Sequence, residues 1–399
     1  MLFADNSIIP VVMFHSVGLD VYPWIYTHLS EPLELFEAKM RILQKKGFKT
    51  IFLKELYEHV SGEKILKGKN IVLTFDDGFL DNWVYAFPIL KKFGFKATIF
   101  ISPEFVDTRQ IVRPNIEENP SLPLKKALGF LSWIEIEKMY KSGLIDFQSH
   151  TMTHTWYFCS DRIIDFHHPG DHYPWLIWNE NPELKPTFFQ ANFSNLVPYG
   201  YPIFEYKRAI VCRRFYPSKE LIQRLLDFAS RKPFIFWKED YLEIMKGNFE
   251  EISQNLPNKG YFETEEEYLK RIKWELEESR RIISCRLNKP VDFLCWPGGA
   301  YNNIALKIAK EVGYKACTLS SRERTKYRNR PGANAFYIKR IGSFIRKSTR
   351  YGNLGIGNAR YFYHRLREHQ GSFYSKFWIK FNHLLSFFKF LYLLRKGKR

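Results

Sequence analysis

The sequence predicts an α/β fold, a barrel built from parallel βα units. Two observations carry the prediction. Apolar, β-branched runs alternate with helical segments of about ten to fifteen residues up to residue 154 and again from about residue 264, the pattern of parallel strands joined by helices. Chemically capable side chains, His15, Asp76, Asp77 and His150, each follow directly on a predicted strand. A barrel gathers such residues on one face, whereas a doubly wound sheet would place them mainly at a single switch point.

Taken in order, Ile8 to Phe14 reads as a strand ending at His15-Ser16. Leu33 to Lys46 is an amphipathic helix stopped by Gly47, and Lys49 to Leu53 is a second strand candidate leading into a short helix that reaches Val60. The run Ile71-Val72-Leu73-Thr74-Phe75 is continuously apolar apart from its threonine, as a strand buried on both faces should be. A helix from about Asn82 to Phe93 should bend at Pro88 and stop at Gly94, and Lys96 to Ile101 is the next strand. Ser132 with Glu135 forms a capping box, and Leu144 to Phe147 is a strand running into Gln148-Ser149-His150. Thr264 with Glu267 opens a long helix to Leu287, with Trp274 expected on its buried side. A strand Val291 to Cys295, a loop Trp296 to Asn302, a helix ending at Gly313 and short strands at Tyr314 to Thr318 and Phe336 to Ile341 complete the alternation.

Four divisions follow: a first barrel part over 1–154, an inserted subdomain over 155–262, the remainder of the barrel over 263–342 and a basic amphipathic tail over 343–399. The insertion is rich in Pro, Trp, Tyr and Asn and has no clean period before Ser218 to Ser230. Its histidines His167, His168 and His172 suit a polar groove better than a second metal site. Trp156, Tyr157, Trp175 and Trp178 could stack on sugar faces or simply pack the insertion.

The formal charge of +19, from 61 Lys and Arg against 42 Asp and Glu, favours phosphate groups or an anionic lipid surface. After Gly342 the basic residues face one acid, Glu368. From Tyr374 to Leu394 polar residues recur at three- and four-residue steps and leave a broad face containing Phe377, Trp378, Phe381, Leu384, Leu385, Phe388, Leu391 and Leu394. Such a helix suits a membrane interface, or else the flank of the barrel or of a partner; so wide an apolar face does not suit nucleic acid. The five cysteines are scattered without a C-x-x-C pair, which argues against a disulfide framework or a cysteine zinc site and for reduced, buried thiols. The N-terminal residues lack a basic, apolar leader pattern, so a cytoplasmic location, peripheral on the inner membrane face, is expected.

The chemistry centres on Asp76-Asp77-Gly78 and on His150-Thr151-Met152-Thr153-His154. An Asp-Asp-Gly turn alone could be simple turn chemistry, and His15 alone could cap a strand. Adjacent side chains leaving a strand point in different directions, so one aspartate can bind a metal while the other acts as a base. If a helical turn begins at His150, both imidazoles fall on one side. Two histidines and one carboxylate then give three ligands and an open position, the arrangement of a catalytic zinc.

These motifs resemble the polysaccharide deacetylases, the NodB-homology domain of carbohydrate esterase family four. Thr74-Phe75-Asp76-Asp77-Gly78 and His150-Thr-x-x-His154 match the first two motifs, and Cys295-Trp296-Pro297-Gly298-Gly299 matches the third in part, lacking its arginine and tyrosine. Pro10 to His15 is similar to the permuted branch of poly-N-acetylglucosamine deacetylases, in which a catalytic histidine motif opens the chain. The resemblance covers about 8–154 and 264–342 and implies a distorted (β/α)7 barrel, here with a large insertion and a C-terminal helical tail. It implies a divalent metal, Zn2+ first, on Asp77, His150 and His154, with Asp76 as general base and His15 as general acid. Pro297, Gly298 and Gly299 would line the oxyanion and substrate loop, and Arg340 is expected to steady Asp76 in place of the missing arginine. The implied substrate is an N-acetylated amino sugar in a polysaccharide or a lipid-linked precursor. The alternatives are another deacylase of a lipid-linked sugar, such as a deformylase, and a catalytically inactive carbohydrate-binding barrel.

Overall fold

The computed structural model describes the chain except residues 1–3, 20–28, 123, 172, 190–195, 233, 322–326, 344, 350, 351, 357 and 397–399. His172 therefore lies outside the described residues, as do the side chains of 386, 387 and 389–396 within the terminal helix.

Seven parallel strands form the centre: β1 Val11–Phe14, β2 Asn70–Phe75, β3 Ala97–Ile101, β4 Ile145–Ser149, β5 Phe293–Cys295, β6 Ala316–Thr318 and β7 Arg340–Gly342. Their spatial order is their order in the chain, and β7 pairs in turn with β1. A bridge between Thr318 and Ile338, just ahead of β7, brings the two ends of the sheet together. The expected seven-stranded barrel is thus present and nearly closed, which removes exposed sheet edges.

The period of two along each strand explains where the site sits. Val11, Val72, Phe100, Phe293, Cys295, Ala316 and Ile338 form one buried cluster, and the intervening Val12, Leu73, Ile99, Leu294 and Cys317 belong to another. The first set fills the barrel; the second packs against the surrounding helices. Leu53, Leu56 and Val60 of the helix Leu53–Ser61 join the first set and close the end from which the strands start. Residues in phase with the interior set, Asp76 after Val72 and Arg340 after Ile338, therefore point inward at the opposite end.

Several local expectations change. Only Lys49–Thr50 of the second strand candidate pairs, and it joins the start of β2 rather than the seven-strand ring. Asn82–Ala86 is a π-helical turn, and Pro88 lies in the first turn of the following helix Phe87–Phe93, where its missing N–H is harmless. The long helix α1, Glu265–Leu287, buries Tyr268, Ile272, Glu275, Leu276, Ser279 and Ile283, while Trp274 is exposed. Between β4 and β5 the chain forms a hairpin of Trp156–Phe166 with Pro202–Arg208 and the helices Lys219–Ser230 and Tyr241–Gln254. All five cysteines are free, but Cys285 is exposed and Cys159 half-buried; only Cys212, Cys295 and Cys317 are buried as expected.

The terminal helix Phe373–Lys396 packs on the helix Ala359–His369 through Ser375, Ile379 and Trp378, whose ring stacks on His364 at 4.1 Å. Trp378 thus belongs to the packed side rather than to the outer apolar face. Phe373, Phe377, Phe381, Leu384, Leu385 and Phe388 are each at least half exposed. Among the described residues, no helix is long and apolar enough to cross a membrane.

Candidate active site

β2 ends in two acids that leave in different directions. Asp76 continues the inward phase and is buried, while Asp77 adopts φ +74 and turns across the barrel mouth. Gly78 follows at φ +67, and a Cβ there would lie 2.8 Å from Ile101 Cγ2, so this turn requires glycine.

Opposite β2, the turn after β4 carries the two histidines. It is not the helical turn expected from the spacing: Thr151 at φ +66 and His154 at φ +46 both adopt left-handed backbone. Among the described residues four non-glycine residues have positive φ, and three of them are Asp77, Thr151 and His154. Each such residue costs on the order of 1–3 kcal/mol, and strain of this kind persists where the surroundings over-determine the conformation.

The strained backbone brings both imidazoles onto one oxygen. His150 Nε2 lies 3.3 Å and His154 Nε2 3.2 Å from Asp77 Oδ1. Three ligands at about 2.0–2.1 Å around a tetrahedral ion stand about 3.3 Å apart, so these spacings fit a zinc-sized cation. His150 Nδ1 is 2.8 Å from the Cys295 carbonyl, which accepts its N–H and turns Nε2 toward Asp77, where loss of the Nε2 proton would supply a lone pair to a metal. A second group, Asp76, His150 and Cys295, is also close enough to share an ion. The trio with Asp77 is the better fit, because the other has Asp76 tied to Arg340. The insertion's His167 instead pairs with Asp171 at 2.6 Å.

Asp76 has a partner on each oxygen. Arg340 Nη1 donates to Oδ1 at 2.6 Å, and His15 Nε2 lies 3.8 Å from Oδ2. Arg340 is itself buried and also donates from Nε to the Leu319 carbonyl at 3.0 Å. Burial alone would raise the Asp76 pKa; the Arg340 and His15 charges outweigh it and hold the carboxyl below the usual range. For Asp77 burial is again opposed, here chiefly by His154 and by hydrogen bonds from both imidazoles, and the carboxyl lies well below its ordinary value. Burial lowers the His15 pKa despite Asp76 beside it, and burial with the nearby Arg208 pushes His154 down to about 4.

The Pro297–Gly299 loop closes the third side. Gly299 at φ +76 packs where a Cβ would fall 2.4 Å from Ser320 Cβ. The Gly299 and Ala300 N–H groups donate inside the loop, to Trp296 and Pro297 carbonyls, so among its amides the Gly298 N–H is the better donor candidate for substrate. Pro297 lines a small cavity with His154 and Arg208, and Phe79, Phe105 and Phe130 line a cleft with Asp77 and His154.

Arg208, Glu275 and Lys185 did not emerge from the sequence. Arg208 lies with Nη1 3.4 Å from His154 Nδ1 and its guanidinium 3.5 Å above the Trp156 ring. Glu275 had a signal, an acid in phase with Ile272, Leu276 and Ser279 on the buried face of α1. Lys185, in the short 3-10 helix Pro182–Thr187, had none.

A near-closed parallel barrel brings carboxylates and imidazoles together at its strand ends, an arrangement suited to an active site. The sequence profile of the polysaccharide deacetylases matches residues 63–176 and 256–317 of this chain. YxkH of Bacillus subtilis, provisionally named a polysaccharide deacetylase, is 38% identical over 93 residues, covering 23% of this chain and 31% of that protein. The poly-beta-1,6-N-acetyl-D-glucosamine N-deacetylase of Staphylococcus epidermidis is 31% identical over 118 residues, 29% of this chain and 35% of that one. The enzyme of that name from Escherichia coli K12 is 28% identical over 109 residues, 27% and 16% of the two chains. The matched stretch thus spans well under two thirds of each relative. Among solved structures, the BpsB deacetylase domain of Bordetella bronchiseptica superposes with TM-score 0.49 at 18% identity over 85% of this chain and 97% of that one. IcaB of Ammonifex degensii gives 0.48 at 17% identity, over 86% and 93%.

Proposed function

We propose that this chain removes the N-acetyl group from an amino sugar of a polysaccharide or of its lipid-linked precursor, with a divalent metal ion, Zn2+ first, held by Asp77, His150 and His154. The observation that carries the reading is the approach of both imidazole Nε2 atoms to one Asp77 oxygen at tetrahedral spacing. When bound there, the ion would polarise the acetyl carbonyl and acidify a water molecule. Asp76 takes the proton of the attacking water. Arg340 keeps Asp76 ionised and fixes one of its oxygens, leaving the other toward His15. As the carbonyl becomes tetrahedral its oxygen gains charge, and the Gly298 N–H of the third loop is placed to donate to it. His15 then protonates the sugar nitrogen so that it departs as an amine, acetate remaining behind. The aromatic walls Phe79, Phe105 and Phe130 beside Asp77 and His154 suit an acetyl methyl and a sugar face.

The terminal helix supports an additional reading, attachment to an anionic membrane surface through 374–394. Its exposed Phe373, Phe377, Phe381, Leu384, Leu385 and Phe388 alternate with exposed Lys376 and Lys380.

The test is acetate release from N-acetylglucosamine oligosaccharides by zinc-loaded, metal-stripped and Asp76→Asn protein. Release by the loaded wild type alone is expected. Sugar binding with no release under any metal would sink the hydrolytic reading, and release of formate from a formylated analogue in preference to acetate would move the substrate to another acyl group.

A further inference from the structure

We propose that Lys185 and Glu275 are positioning residues that clamp the His150–His154 turn in its ligand-presenting form, so that the segment between β4 and β5 takes part in building the metal site. The inference rests on the metal reading above and adds a role for two side chains that touch neither substrate nor ion.

The turn needs such a clamp. Thr151 is β-branched yet has φ +66, and His154 has φ +46, so the backbone that aims the two imidazoles at Asp77 would not be held by its own preferences. Its polar groups are engaged from two sides. From α1, Glu275 Oε2 accepts the Met152 N–H at 3.1 Å and the Thr153 N–H at 3.0 Å, while Oε1 accepts the Thr153 hydroxyl. From the segment after β4, the Lys185 ammonium donates to the Thr153 carbonyl at 2.9 Å and to the Glu104 carboxylate. Lys185 and Glu275 are each 1% exposed. A lysine is rarely buried so fully unless it is paired, and here its partners are Glu104, just beyond β3, and the peptide between the histidines.

An anion on the N–H side and a cation on the C=O side of Thr153 fix the orientation of the peptides between the two imidazoles. Lys185 sits at the end of a chain of contacts that the barrel alone does not contain. Ser102 Oγ adds a bond to the His150 carbonyl at 2.9 Å, so the start of the turn is held by β3 and its middle by the clamp. His154, at the far end, depends most on the clamp for its aim.

Partners that orient metal ligands are worth about tenfold to a hundredfold in metal affinity. The experiment measures Zn2+ dissociation constants for the full chain by competition with a chromophoric chelator, with thermal melting to show that each variant is folded. Lys185→Met is expected to weaken Zn2+ binding tenfold to a hundredfold, and acetate release should recover when Zn2+ is raised in proportion. Lys185→Arg, which keeps the cation, should recover part of the affinity. Glu275→Gln, which keeps one acceptor, should lose less than Glu275→Ala. If Lys185→Met does not fold, Glu275→Gln and Thr153→Val decide, since each removes one bond of the clamp. Zn2+ affinity within twofold of wild type in the folded variants overturns the proposal while leaving the metal reading intact. A wild-type chain that binds no Zn2+ overturns both.

Discussion

The strand-end site and the terminal helix depart from the ordinary division of a protein in opposite ways. At the site, Asp76, His150 and Arg340 are charged or polar groups taken out of water. On the helix Phe373–Lys396, Phe377, Phe381, Leu384 and Phe388 are apolar groups left in it. Buried charges persist only when paired, and an apolar stripe of this size usually marks a contact surface. The site has settled its charges internally, through Arg340 on Asp76 and two imidazoles on Asp77. The helix instead leaves Phe377, Phe381 and Leu384 each at least half exposed. The difference teaches that the first region is preorganised and should be sensitive to single substitutions, whereas the second should respond only to the combined loss of several side chains.

The strongest test of this contrast is His154→Ala or Asp77→Asn. On the proposed reading the first removes and the second weakens one of three ligands to one ion, and zinc affinity and acetate release should each fall by more than about a hundredfold, beyond what loss of a mere orienting partner costs. Equilibrium dialysis beside an acetate assay checks both, and intact turnover in either variant would break the site reading.

Arg340→Ala comes next. It leaves Asp76 buried without its cation, a loss on the order of 3–5 kcal/mol for a broken buried pair. Because the guanidinium holds the Asp76 pKa down, its removal raises that pKa, and the acidic limb of the pH–rate profile should move to higher pH. An unchanged profile in a folded variant would show that Arg340 does not steady the base.

On the helix, the triple change Phe377→Ser, Phe381→Ser, Leu384→Ser should lower flotation with vesicles containing anionic lipid by about tenfold or more, since each such side chain gains on the order of 1.5–3 kcal/mol on full burial. Turnover on a soluble oligosaccharide should hold. Equal flotation of both proteins would make the stripe a face for another protein or an idle surface.

The smallest expected effect concerns Asp81, a buried acid four residues past Asp77. Burial raises its pKa to about 7 despite hydrogen bonds from Ser16, the Val17 amide and Asn82, which are neutral donors. The folded chain therefore keeps this proton over a range, from about pH 4 to 7, in which the unfolded chain has lost it. Folding binds a proton there, so the Asp81 contribution to stability falls as pH rises through that window. Asp81→Asn should flatten the dependence, seen as a narrowing gap between wild-type and variant melting temperatures below pH 7 as against pH 8. A parallel pair of curves would remove Asp81 from the account.

How much of this was legible follows from local chemistry. The strand β2 announced itself by a continuous apolar run, and Asp76-Asp77-Gly78 by two charges where a core strand ends. Arg340 could be singled out because it stands at another strand end opposite a missing arginine. The turn at His150 was misjudged as helical because four-residue spacing suits a helix, whereas the observed conformation rests on Glu275 and Lys185, remote in sequence. Trp274 is exposed for a related reason: α1 turns Glu275 and Ser279 inward, in phase with Ile272 and Leu276, to meet the His150 turn and β4, and Trp274 lies off that phase.

By itself the sequence determined the alternation of strands and helices, the barrel class and the identity of the residues at the strand ends, since each of these depends on patterns within about twenty consecutive residues. Tertiary structure alone decided that β7 returns beside β1 to bring Arg340 onto Asp76 across 264 positions of chain, and that a strained turn holds both imidazoles against one carboxylate. The physical reason is that strand-end geometry and left-handed backbone are fixed by contacts made across the barrel, and these have no local signature.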